Sequence, residues 1–127
     1  MLENDRRDRK TRRWQGKSDP ADAEAAAWAA RRSAVQQRAD VMRQMKMLIV
    51  AAPDELRAVL RDLGDRELIA ACAASRPDAQ RSGESFIAAR LALRTLARRY
   101  QRLTQEVDEL NAVIDPLVGE TAPRYAP

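Results

Sequence analysis

From Glu84 to Val118 the apolar residues fall at a fixed spacing: Phe86, Ala89, Leu93, Leu96, Tyr100, Leu103, Val107, Leu110, Ile114 and Leu117. The steps alternate between three and four without a break, which is the a/d seam of a coiled coil sustained over about four heptads. Arg90, Arg94, Arg98, Arg99, Arg102, Glu106, Asp108 and Glu109 lie between the seam positions, so the other faces are charged and solvated. No Gly or Pro interrupts the pattern before Pro116. At about 1.5 Å per residue the helix is on the order of 50 Å long. That is too long for a compact core in a chain of 127 residues. It needs a partner along its length.

The partner is predicted upstream. A basic leader ends at Gly16-Lys17-Ser18, and Asp19-Pro20 follows as a helix start, with an Asp or Ser N-cap before a proline at the first helical position. From Pro20 to Pro53 there is no further Gly or Pro. Ala34, Val41, Met45, Leu48 and Ala52 make a second seam, with Met42 and Ile49 beside it. Arg38 occupies one seam position, which requires its stem to pack and its head to reach water. Pro53-Asp54-Glu55 opens a short helix with Leu56, Val59, Leu60 and Leu63 on one face and Gly64 as its stop. Asp65 is the expected cap of a third helix, Arg66 to about Ala74, with Leu68, Ile69 and Cys72 apolar. A polar loop from Arg76 to Gly83 leads into the long helix. The predicted fold is all-α: an antiparallel coiled-coil helical hairpin with two short helices at its tip. A flexible basic leader (1–18) precedes the helical region (19–118), and a loose Pro-rich tail (119–127) follows it.

Composition agrees with that reading. The length allows one domain at most. Aromatics make up 4% of the chain and Gly four residues, which argues against a sheet protein. A single cysteine, Cys72, excludes an internal disulfide and reads as a small buried apolar residue. With no histidine, histidine-based catalysis and most zinc sites are excluded, so metal chemistry must run on carboxylates. There is no signal-like start and no long apolar run, which points to a soluble cytoplasmic setting without a membrane. The net charge of +4 is unevenly placed. Arg6, Arg7, Arg9, Lys10, Arg12, Arg13 and Lys17, against Glu3, Asp5 and Asp8, account for all of it in the leader. Such a run is a solvated tail or a phosphate-contacting arm that binds nucleic acid without reading sequence. Trp14 within it could stack on a base.

One stretch has a chemical look: Lys17-Ser18-Asp19-Pro20-Ala21-Asp22-Ala23-Glu24. Asp19 and Asp22, three apart at a helix start, share about one face of the first turn. Two such carboxylates can bridge Mg²⁺. Equally, Asp19 can cap the helix while Asp22 and Glu24 favour its positive end.

The segment GKSDPADAEAAA resembles the one that closes the RuvC-like nuclease domain in DEDD-type insertion-sequence transposases, the family that includes the Piv-type DNA invertases. The downstream text is also similar: ARRSAVQQRADVMRQMKMLIVAAPDELRAVLRDL, LIAACAASRP and ALRTLARRYQRLTQEVDELNAVIDPLV. In that family a helical, coiled-coil segment joins the nuclease domain to a C-terminal domain. The resemblance aligns Asp19 with the third acidic residue of the DEDD metal-binding quartet and Asp22 with the fourth. Lys17 matches the basic residue of the motif. It implies Mg²⁺ as cofactor, DNA and a guiding RNA as partners, a homodimer through the coiled coil, and a bacterial cytoplasm. The quartet's first Asp and its Glu are expected on strands upstream of this chain, and the serine nucleophile in a domain after its tail. Ala25–Ala30 passes straight into Arg31 where the family has a longer stretch, which looks like an internal deletion fusing two helices.

The expectation is therefore a truncated transposase-like protein related to DNA transposition and recombination. Alone it would be non-catalytic, supplying the coiled-coil or dimerisation segment. The competing readings are a free-standing helical interaction protein and a small nucleic-acid-binding coiled coil.

Overall fold

The long heptad stretch forms one helix. In the computed structural model, which describes residues 20–77 and 83–121, the elements in order are α1 (Pro20–Ala51), α2 (Asp54–Leu60), α3 (Asp65–Ala73) and α4 (Glu84–Thr121). No strand occurs among the described residues. The molecule is an all-α hairpin in which α1 and α4 pack against each other. The leader, the expected cap Asp19, most of the polar loop and the end of the tail lie outside the described residues.

The chain divides into two compact units, Ser33–Val107 and Met1–Arg32 with Asp108–Pro127. The first unit holds the core. Val41, Met45 and Ile49 from α1 meet Leu93, Leu96, Ala97, Leu103 and Val107 from α4, and Leu56, Leu60, Leu68, Ile69 and Cys72 from α2 and α3 join them. These five α4 residues are all buried, and four of them are predicted seam positions. The fifth, Ala97, is fully buried although it lies outside the seam, because α3 covers α4 from a second side.

Polar ties help to close this unit. Arg57 of α2 donates from Nη1 to the carbonyls of Val50 (2.9 Å) and Ala52 (3.3 Å), satisfying orphan acceptors at the end of α1. Lys46 of α1 pairs at 2.9 Å with Asp65, the first residue of α3. In the other unit Ile114 is the one buried apolar side chain among the described residues. There Arg31 Nε donates to Asn111 Oδ1 at 2.7 Å, tying α1 to α4.

Several sequence expectations need correction. The α1 seam turns slightly: Ile49 is buried and Leu48 only half so. Val59 is 67% exposed, since a seven-residue α2 turns only Leu56 and Leu60 inward. Gly64 does not stop α2, which ends at Leu60. It is the N-cap of α3, with an ordinary φ of −68°. Asp65 is accordingly the first residue of α3 and not its cap. The capping contact comes from Glu67, whose Oε1 accepts the Gly64 N–H at 3.2 Å. Arg38 is half-buried, and its head also finds partners within the protein. Its Nη1 donates to Thr104 Oγ1 at 3.1 Å, and its guanidinium carbon sits 5.6 Å from the centre of the Tyr100 ring. Finally, α4 runs through Pro116 and Gly119 to Thr121. The proline φ suits a helix, although the residue forgoes the bond to the Ala112 carbonyl and crowds it; the expected tail is helical as far as Thr121, and its remainder lies outside the described residues.

Candidate nucleic-acid interface

The sequence offers two places for polyanion or metal chemistry, and both reach the described residues only in part. The leader cations Arg6, Arg7, Arg9, Lys10, Arg12, Arg13 and Lys17 lie outside them, as does Asp19. Asp22 lies on the exposed first turn of α1. Next to it, Glu24 accepts the indole N–H of Trp28 at 3.1 Å, and Trp28 in turn lies 5.5 Å beneath Arg31. Among the described residues no three Cys, Asp or Glu side chains converge as a metal-binding group.

The densest positive charge on the described helices is on α4. Its first half carries Arg90, Arg94, Arg98, Arg99 and Arg102 against Glu84 alone. Its second half carries Glu106, Asp108, Glu109, Asp115 and Glu120 and no base. Successive four-residue steps keep Arg94, Arg98 and Arg102 near one line on the side away from the seam.

Two of the five arginines are held at the end of α3. Arg98 Nε donates to the Ala73 carbonyl at 3.1 Å, and Arg90 Nε to Ser75 Oγ at 3.1 Å while stacking 5.8 Å from the Phe86 ring. Cations suit this position because a helix C-terminus presents unpaired carbonyls and partial negative charge. Arg98, Arg99 and Arg102 are exposed, and Arg94 is half-buried.

Four cations elsewhere on the described residues are neutralised locally. Arg43 pairs with Asp40, Arg57 with Asp54, Arg61 with Asp62 and Lys46 with Asp65. Among the described residues no carboxylate pairs with any of the five α4 arginines. The sequence reading placed these arginines on a solvated face. It could not show that they lack acidic partners, because that depends on which helices lie beside them.

Two smaller features adjoin the row. An apolar pocket of about 230 Å³ is lined by Leu56, Val59, Cys72, Phe86 and Leu93, with Arg90 and Ser75 at its polar edge. Burial pushes the Cys72 thiol above its ordinary pKa, with Arg90 opposing the shift, so the group is a neutral part of the core, unsuited to nucleophilic work. A shallower groove runs between Arg38 and Tyr100 on one side and Arg66 and Ile69 on the other. No described helix is long and apolar enough to cross a membrane. Compared with known proteins, the chain matches no family model, no curated protein and no solved structure.

Proposed function

We propose that this chain is the helical connector of a DEDD-type transposase, related to DNA transposition and recombination and non-catalytic on its own. One observation carries the reading. The KSDPADAE motif runs directly into a helix that starts at Pro20 and continues unbroken to Ala51, as the family's passage from nuclease domain to coiled coil requires. One further feature supports it: the helix is continuous across the Ala30–Arg31 join. Asp19 and Asp22 would be the last two members of the metal quartet. Two-metal chemistry needs ions held about 3.5–4 Å apart by ligands from several elements, and one helical turn cannot provide that alone. DNA, a guiding RNA and a second copy of the chain are the partners that accompany this role.

The test is a chimaera. Residues 20–121 replace the corresponding connector in a full-length DEDD-type transposase, and transposition of a marked element is scored in cells. Retained transposition is expected. A folded, DNA-binding chimaera that does not transpose would count against the connector role and favour a free-standing interaction protein.

A further inference from the structure

The arginines of α4 are a liability to the helix that carries them. Like charges four residues apart each cost an isolated helix about 0.2–0.5 kcal/mol. Arg90, Arg94, Arg98 and Arg102 repeat that spacing three times, with Arg99 adding a fifth charge beside them. On the other helices Asp40, Asp54 and Asp65 sit against basic partners. On α4 the acids other than Glu84 lie instead in the second half, beyond Leu103. The row is also partly organised: the Arg98 bond to the Ala73 carbonyl uses only Nε, so its terminal N–H groups remain to be used.

We propose that Arg94, Arg98, Arg99 and Arg102 form a phosphate-contacting surface for the phosphodiester backbone of a nucleic acid. The surface is read from charge placement alone and holds whether or not the chain is a transposase connector. Its chemistry favours backbone over bases: the row follows a helix face without aromatic side chains interleaved among its exposed members, so stacking contributes little. Guanidinium groups suit phosphate because they offer paired donors in a fixed fork. The leader is a second basic segment, and the two differ in what their removal does.

The test is fluorescence anisotropy of the full chain with a labelled mixed-sequence DNA duplex and with a single-stranded RNA, across a series of KCl concentrations. Each phosphate contact contributes roughly 0.9 to the slope of log affinity against log salt on duplex DNA, and somewhat less on a single strand. The variant R94Q/R99Q/R102Q leaves the Arg98 anchor intact and should lower the duplex slope by roughly 2–3. A variant of equal charge, R32Q/R43Q/R61Q, should lower it by less than about 1. Deletion of residues 1–17 should leave the arginine-dependent part of the slope in place. If circular dichroism shows the triple variant unfolded, the three single variants replace it, each with an expected fall of about 0.9. A parental slope in the arginine variants, an equal fall in the charge-matched control, or binding only to phosphatidylserine vesicles would overturn the proposal. Comparison of the duplex and the RNA shows which backbone the surface prefers.

Discussion

Single side chains in this protein are set by the helix next door more than by their own. Cys72 shows the point. Its thiol is buried among α2, α3 and α4, and burial raises its pKa against the pull of Arg90. The folded thiol therefore holds its proton to higher pH than the unfolded one. The associated stability is complete below the unfolded pKa of about 8.5 and is lost as pH rises through the folded value. Cys72→Ala should flatten the decline in melting temperature between about pH 8 and about pH 10, and the native thiol should react with a disulfide reagent only after denaturation. Fast labelling of the native protein would contradict the burial. Gly64 gives a second test. Its φ is ordinary, and an added Cβ would meet Glu67 Oε1 at 3.7 Å, a normal contact. A serine there can accept the Glu67 N–H and complete the capping box that a glycine leaves half made. Gly64→Ser should stabilise the protein by about 0.5 kcal/mol, and a lower melting temperature would show that the cap is not formed as described.

At the scale of elements, the α4 seam is where the stability resides. Leu96 and Leu103 face α1 from the middle of the core, and each is buried. Truncation of either to Ala should cost about 2–5 kcal/mol. Ala97→Leu should cost about 1–3 kcal/mol, because the added atoms meet α3. Chemical denaturation reads both, and a neutral Ala97→Leu would mean that α3 does not press on α4. These positions also show how far the fold was legible in the sequence. The heptad alternation identified Leu93, Leu96, Leu103, Val107 and Ile114, since one facing helix buries one stripe. It missed Ala97, because a third helix broadens the stripe and its approach is not written in the α4 period. It misjudged Val59 and Gly64 for a related reason. A short helix has too few turns for periodicity to fix its rotation, and a glycine between two helices can serve either end. The basic row was visible as residues, but the absence of carboxylate partners for it among the described residues was not. That follows from which of the four helices carries the acids and which neighbours they reach.

For the molecule as a whole, the two units differ in what holds them. The unit Ser33–Val107 contains the whole main cluster of buried side chains, together with the Arg57 and Lys46 ties. Among the described residues of the other unit, Ile114 is the buried apolar side chain, and the early part of α1 is rich in alanine. Alanine favours a helix but buries little area, so its helical hydrogen bonds gain little protection from packing. Opening free energies in native proteins follow local buried contact and rise toward the global value only in the core. Hydrogen exchange should therefore show low protection in residues 20–32 and 108–121 and near-global protection from Val41 to Ile49 and from Leu93 to Val107. Ile114→Ala sharpens the test. It should reduce protection in residues 20–32 across the Arg31–Asn111 tie, while the exchange of the core amides changes little. If Ile114→Ala lowered protection equally in both units, they would open as one cooperative body, and the division of the hairpin at Arg32 and Val107 would carry no energetic meaning.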